Sequence, residues 1–440
     1  MKLMSLFDGS GGFPLAASLC GIEPVYAAEV EPYPIAVTKN RFPKMKHLGD
    51  VSKVKDGEIE PVDIITFGSP CQDISIAGKR AGLKHADMGD DETTRSGLFL
   101  EAIRIIKEMR EATNGVYPRY AIWENVPGAF SSNRGEDFRT VLEEFIRVKE
   151  KDAVMPAVPQ AGWAYADCIS GDGWSIAYRV FDAQYWGVPQ RRRRIYLVAD
   201  FRGECAQEIL FKRESLRGYF EAGRTPWQGI AADAQNCVGQ QISVCTDGKS
   251  PTLRAEAHGN APYVINKKTL VYDTRGNGAG ETVPTITGDH NNRITDYTAL
   301  CCEAVVYDGA NITSPLNKTN PQAGDPCHTI STDSRNYIVR RLTPTECARL
   351  QGFPDWWGEI PKKDNLTDDE YIFWLNARNT YAKINNKTTK EYSKEQMLSW
   401  YNKLHSDSSE YKMWGNGIAL PNALYVMQGI AEVVGVHHSK

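Results

Sequence analysis

Ten cysteines are spread over 440 residues without a Cys-x-x-Cys pair or a Cys/His run at zinc spacing. That argues against a structural zinc site and against a disulfide framework. No metal is expected. Thiols scattered through a chain that opens Met1-Lys2-Leu3, with no charged leader and no apolar h-region, fit a reducing cytoplasm. No apolar stretch approaches membrane-spanning length, so no membrane partner is expected. Positive charge is not in excess either: the net charge is −4. A nucleic-acid partner would therefore need its basic residues concentrated locally. A clean G-x-G-x-x-G fingerprint is also missing, which weakens a dinucleotide reading.

What is present is an alternation of short apolar runs and helical patterns over residues 1–202. Leu3 to Phe7, Val25 to Ala28, Ile64 to Phe67, Ala121 to Trp123 and Ile195 to Val198 read as strands. Gly12 to Leu19, Pro34 to Asn40, Leu98 to Met109 and Phe138 to Val148 read as helices. This order predicts an α/β fold with a doubly wound, mostly parallel sheet. Lys149 to Trp174 has no clear period and reads as an insertion ending in a turn at Gly171-Asp172-Gly173. Residues 203–336 are rich in Thr, Asn, Gly, Asp and Pro and read as a second, loop-rich β domain. Pro251-Thr252-Leu253, Pro284-Thr285-Ile286 and Cys327-His328-Thr329-Ile330 echo one another there, too irregularly for a solenoid. Residues 337–440 return to helical patterns: Arg340 to Phe353, an inserted pair of amphipathic helices at about 358–412, and Leu420 to Val434.

Five segments carry chemistry. Ile64 to Phe67 runs into Gly68-Ser69-Pro70-Cys71-Gln72. A thiol just past a buried parallel strand stands where α/β sheets bind ligands, and on this segment alone Cys71 reads equally as nucleophile or core thiol. Leu6-Phe7-Asp8-Gly9-Ser10-Gly11-Gly12 is a strand, a Gly-rich turn and a helix start; Glu29 follows Gly9 by twenty residues, a spacing that suits a nucleoside-containing cofactor. Asp50 reads as an adenine acceptor or as a cap. Glu124, in Trp123-Glu124-Asn125-Val126, ends another strand at the edge that carries Cys71, and reads as an acid for a ring nitrogen or as a helix cap. In Gln190-Arg191-Arg192-Arg193-Arg194-Ile195, strand alternation sends Arg192 and Arg194 to one face and Arg191 and Arg193 to the other. One pair could meet phosphate or base acceptors; the other reading is a solvated charge run. Finally, Thr343-Pro344-Thr345-Glu346 before Arg349-Leu350-Gln351-Gly352-Phe353-Pro354 has the form of a capping box.

Taken in order, the Gly-rich turn, Pro-Cys-Gln, Glu-Asn-Val, Gln-Arg-Arg-Arg-Arg, Arg-Leu-Gln-Gly-Phe-Pro and Gly415-Asn416 blocks resemble the DNA (cytosine-5)-methyltransferase family. The resemblance leaves out 203–336 and about 358–412. It implies a Rossmann-like methyltransferase domain that binds S-adenosyl-L-methionine through Phe7, Gly9, Gly11, Glu29, Val30, Asp50, Val51, Asn416 and Ile418. Phe7 would lie against the adenine, Glu29 would take the ribose, and the last helix would return to this domain. It implies catalysis by Cys71, Glu124, Arg192 and Arg194 on a cytosine flipped out of duplex DNA. It makes 203–336 the target-recognition domain, with Thr329 as a base reader. Lys79 and Arg80, on the loop from Ser75 to Gly97, would contact phosphate. Val30 departs from the family, which often has an aromatic residue there, and Trp414 replaces a common Phe.

The implied activity is transfer of a methyl group to carbon 5 of cytosine in double-stranded DNA, by a monomer in the cytoplasm, with a cognate restriction nuclease as a further partner. An RNA cytosine-5 methyltransferase and a catalytically silent DNA-binding relative are the alternatives. A nicotinamide-dependent oxidoreductase leaves the Cys and Arg blocks unexplained.

Overall fold

The computed structural model describes residues 1–55, 57, 59–69, 97–155, 157–211, 343–435 and, between 212 and 342, the strand segments alone. Its main body is one eight-stranded sheet. The strands are β1 (Lys2–Leu6), β2 (Glu23–Ala28), β3 (Lys46–His47), β4 (Ile64–Phe67), β5 (Tyr120–Asn125), β6 (Ala166–Gly171), β7 (Trp174–Asp182) and β8 (Arg193–Asp200). Their spatial order is β3-β2-β1-β4-β5-β8-β7-β6. Pairing is parallel from β3 to β5 and antiparallel from β5 to β6.

The expected α/β sheet is present, and its side-chain alternation builds two cores. Leu3, Ile64, Ile122 and Val198 face one layer. Met4, Ile65, Ala121 and Leu197 face the other. On the first face lie α1 (Gly12–Leu19), the short α5 (Ala206–Leu210) and the last helix, α10 (Leu420–Val434). On the second lie α3 (Leu98–Ala112) and α4 (Glu136–Ile146), whose Phe99, Phe138 and Phe145 are fully buried. Continuous apolar strands between two helical layers are what a sheet buried on both faces requires. The last helix packs on α1 although it closes the chain, as the resemblance implied.

Three expectations are corrected. Ala166–Gly171 is a strand of the main sheet, paired with β7 across the Gly171-Asp172-Gly173 turn. It is an edge strand that is largely exposed, so it has no apolar period to read. Arg340 and Arg341 belong to a strand, Tyr337–Arg341, and the helix that follows, α6 (Pro344–Leu350), starts only at Pro344. Its capping box forms as expected: Thr343 Oγ1 accepts from Glu346 N at 3.2 Å, and Thr343 N donates to Glu346 Oε2 at 2.7 Å. The insertion holds three helices rather than two: α7 (Asp368–Ile384), α8 (Lys394–Tyr401) and α9 (Asp407–Asn416). Leu366 before α7, Trp374 of α7 and Met397 and Tyr401 of α8 pack on α2 (Pro32–Arg41), and α9 also contacts α2.

In the region rich in Thr and Gly, Ala234–Val238, Gln241–Val244, Pro262–Lys267, Leu300–Cys301 and Tyr337–Arg341 form a separate five-stranded antiparallel sheet. Val271–Tyr272 pairs with Ala279–Gly280. The three Thr-Leu/Ile echoes, Thr329 among them, lie outside the described residues.

Candidate active site at the strand ends

The parallel strands β1, β2, β4 and β5 end at one edge of the sheet, and the sheet's connections diverge beside β1, which has β2 on one side and β4 on the other. Ligands of open α/β sheets bind at such an edge. Because β8 runs antiparallel to β5, pairing Glu124 with Tyr196 and Asn125 with Ile195, the start of β8 reaches the same edge. Antiparallel pairing is thus what brings the arginine run to the glutamate.

Arg192 is buried and Arg194 half-buried, while Arg191 and Arg193 are exposed, as alternation predicts. Arg194 Nε lies 3.1 Å from Glu124 Oε1. Arg192 donates through Nη2 to the Gly417 carbonyl and through its backbone N to Asp182 Oδ1 at 3.1 Å. Burial raises the Glu124 carboxyl above its usual range, and Arg194 and Arg192 pull it back. Burial and the adjacent Arg194 lower the Arg192 guanidinium to about 9, so it stays charged at neutral pH. Gly68 keeps the approach to the acid open, since a Cβ there would stand 3.1 Å from Glu124 Oε2.

Two neighbours of these residues were not singled out from the sequence. Asn125 Nδ2 donates to the Ser69 carbonyl at 2.9 Å, and Trp123 Nε1 donates to Ser69 Oγ at 3.2 Å. The end of β5 therefore holds the backbone two residues before Cys71 in the sequence. Cys71 itself, Lys79 and Arg80 lie outside the described residues.

The second half of the site is the turn after β1. Phe7, Gly9 and Gly11 all take positive φ, 55°, 53° and 75°. A Cβ at Gly11 would come within 2.7 Å of Thr38 Cγ2, so both space and conformation call for glycine there. Glu29 directly follows β2 and accepts from three backbone N–H groups: Gly9 at 2.9 Å through Oε2, and Val30 and Glu31 at 2.7 and 2.8 Å through Oε1. Burial raises its carboxyl, and these donors oppose the rise. The chain end closes on the same turn: a Cβ at Gly12 would meet Ile418 Cγ1 at 2.5 Å, and one at Gly417 would meet Ser10 Oγ at 2.8 Å. Asn416 is exposed at the end of α9. Asp50 takes the capping role, accepting from Ser52 N and Ser52 Oγ at 2.9 Å each through Oδ1, beside the buried Val51.

Asp8, which the sequence shows only as part of the glycine turn, is a further residue of this half. It is buried in the turn, and neither carboxylate oxygen has a well-formed hydrogen bond among the described residues. Burial pushes its carboxyl up to about 7, while the Ser5 hydroxyl pulls the other way and Glu29 adds to the rise. The available signal was an acid placed between an apolar strand and a glycine turn. The buried Ser10 hydroxyl is likewise without a partner among the described residues. Unmatched acceptors beside a glycine cradle suit a cofactor that carries positive charge, as the sulfonium and ammonium of S-adenosyl-L-methionine do.

A family model described as C-5 cytosine-specific DNA methylase matches residues 1–149 and 166–372. The chain is 29% identical over 488 residues to the DNA N-6-adenine-methyltransferase of Escherichia phage P1, covering 98% of this chain and 61% of that protein. It is 27% identical over 372 residues to the type II methyltransferase M1.ScrFI of Lactococcus lactis subsp. cremoris, covering 84% of this chain and 73% of the relative. It is 26% identical over 435 residues to the orphan methyltransferase M.SPRI of Bacillus phage SPR, covering 81% and 89%. Among solved structures, the S. pombe Dnmt2 methyltransferase shares the fold, with a TM-score of 0.51 at 14% identity over 99% of both chains.

Proposed function

Because the chain belongs to the C-5 cytosine-specific DNA methylase family, whose members use S-adenosyl-L-methionine, we propose that it methylates carbon 5 of cytosine in a specific sequence of double-stranded DNA. The observation that carries this reading is the Glu124–Arg194 pair, with Arg192 behind it, at the sheet edge next to Ser69, two residues before Cys71 in the sequence. Carbon 5 of cytosine is a poor nucleophile. The Cys71 thiolate adds to carbon 6, forming an S–C bond, and the electron pair of the 5,6 double bond moves onto carbon 5 and the ring. Glu124, kept protonated more readily by its burial, donates to ring nitrogen 3 and takes up the negative charge that develops there. Arg194 supports the carbonyl oxygen, and Arg192 holds the strand start against the Gly417 loop. S-adenosyl-L-methionine supplies the methyl group to the activated carbon. Loss of the carbon-5 proton to a base then restores the double bond and expels Cys71 as thiolate.

Phe7, Gly9, Gly11, Glu29 and the Gly417-Ile418 loop would hold the cofactor, with Val30, Asp50, Val51 and Asn416 at its margins. Asp8 joins this set. Residues 1–202 and the return at 337–440 make up the catalytic domain in this reading. Residues 203–336 are the target-recognition domain, with Thr329 as base reader; Lys79 and Arg80 meet phosphate. The protein acts as a monomer in the cytoplasm, and a cognate nuclease is a partner if its setting is restriction-modification. No single helix among the described residues is long and apolar enough to cross a membrane.

The phage P1 relative's name motivates a second reading, methylation of the adenine amino group. That chemistry needs no thiol adduct, and the chain spans only 61% of that protein. One experiment separates the two. Duplex DNA of mixed sequence is incubated with the protein and methyl-labelled cofactor, then digested to nucleosides. Label in 5-methylcytosine, lost with Cys71→Ala, together with a denaturation-resistant adduct on DNA containing 5-fluorocytosine, is expected. Label in N6-methyladenine, or transfer that survives Cys71→Ala, overturns the proposal.

A further inference from the structure

The three inserted helices do not sit idly on the molecule; they cover the outer face of α2, and α2 begins at the acidic turn of the cofactor half. At its N-terminus, Glu31 N donates to Glu29 Oε1 at 2.8 Å, and the Glu31 carboxylate meets Lys412 Nζ of α9 at 2.9 Å. Lys412 Nζ also donates to the Tyr381 hydroxyl of α7 at 3.3 Å. In the first turn, Tyr33 donates to the Gly358 carbonyl at 2.7 Å and stacks on His405, with ring centres 5.8 Å apart. Ile35 and Ala36 pack on Trp374, Met397 and Tyr401. At the C-terminal end, Arg41 donates to the Trp357 carbonyl at 3.1 and 3.0 Å and to the Glu359 carbonyl at 2.8 Å. The helix is thus held at three levels by the returning chain, and the last link before Glu29 is an ion pair.

We propose that Lys412 is a positioning residue for the cofactor: its ion pair with Glu31 fixes the Glu29-Val30-Glu31 turn, and through it the carboxylate that faces the ribose. The inference rests on the reading of Glu29 as the ribose holder. Lys412 is 40% exposed and Glu31 19%, so the pair is partly shielded from water. Burial works to lower the Lys412 ammonium, yet Glu31 and Tyr381 outweigh it and raise it. A shielded pair with a second acceptor loses less to solvent screening than an exposed one. The insertion then has a function: it carries the far partner of a residue next to the cofactor turn.

The test uses the full chain and calorimetric titration with S-adenosyl-L-methionine in the absence of DNA. Lys412→Ala is expected to weaken binding about five-fold, equivalent to about 1 kcal/mol. Lys412→Arg, which keeps the charge, recovers most of the loss. Glu31→Gln, which keeps the backbone donor but removes the ion pair, gives the same loss as Lys412→Ala. In steady-state assays the KM for the cofactor rises by the same factor, with kcat unchanged. Glu29→Ala is the control for the underlying reading. If Glu29→Ala loses affinity and Lys412→Ala does not, the positioning role is wrong and the ribose reading stands. If Glu29→Ala binds like the wild type, the ribose reading falls and the positioning role with it. Equal losses with Lys412→Ala and Lys412→Arg also overturn the proposal, because the charge is then not what acts.

Discussion

The acids at the sheet edge are held in opposite ways. Glu124, at the end of β5, faces two guanidinium groups brought in by the antiparallel strand β8. Glu29, at the end of β2, is held by three backbone N–H groups of its own and the neighbouring turn. Asp8, which follows β1 and so lies between them in the spatial order of the strands, has no comparable support among the described residues. The contrast follows from topology. A parallel strand is flanked at its C-terminal end by loops that offer backbone donors, whereas an antiparallel neighbour offers its own side chains. The acceptor half thus carries its countercharge with it, and the cofactor half leaves an acid waiting for one.

The sharpest way to break this comparison is Glu124→Gln. The substitution keeps the shape, removes the ionisable proton and leaves Arg192 and Arg194 without their anion. Turnover is expected to fall about a hundred- to ten-thousand-fold, the usual range for loss of a positioned acid, while cofactor affinity changes by less than about two-fold, because the link described between the halves, Arg192 donating to the Gly417 carbonyl, does not pass through Glu124. Single-turnover methylation and calorimetry report the two quantities separately. A parallel loss of cofactor affinity would show that the halves are one network.

Asp8→Asn tests the unbalanced acid through stability. Its carboxyl stands at about 7 in the folded chain against an ordinary 3.8. Between those values the folded state holds a proton that the unfolded chain has released. This contribution to stability is therefore full below about pH 4 and is lost as pH rises through about 7. Asparagine suffers no such loss. Without cofactor, the variant is expected to be more stable than the wild type by on the order of 2–4 kcal/mol at pH 8, with the gap closing towards pH 4. Urea melts across that range measure it. A pH-independent difference would mean that the carboxyl titrates normally.

Much of this site was legible because it obeys short periods. The alternation of Arg191 to Arg194 follows from the two-residue repeat of a strand, and the Thr343–Glu346 capping box from a three-residue spacing. Ile64–Phe67 and Leu420–Val434 read correctly because one is a fully buried strand and the other a nearly all-apolar helix. What escaped depends on distance or on exposure. Ala166–Gly171 shows no pattern because it edges the sheet and faces solvent. The clamp on Ser69 needs β4 and β5 paired side by side before Asn125 and Trp123 have meaning. Lys412 and Glu31 stand near opposite ends of the chain, and no local spacing links them. Asp8 reads only as part of a glycine turn because its importance lies in its burial without a well-formed partner among the described residues, which no local pattern reveals.

The smallest effect concerns that clamp and sets the limit of the comparison. Ser69→Ala removes the acceptor of the buried Trp123 indole N–H but leaves the Ser69 carbonyl, which still takes the Asn125 amide. A buried donor left unmatched costs about 1–2 kcal/mol, so the urea midpoint should drop accordingly. The backbone before Cys71 keeps its stronger hold: Asn125 is fixed at its other end by Val126 N donating to Oδ1 at 2.8 Å. Turnover is therefore expected to fall only a few-fold and cofactor affinity not at all. If turnover instead collapses while stability barely moves, the hydroxyl acts in the chemistry itself, and the acceptor half extends from the Glu124 charge cluster to the end of β4.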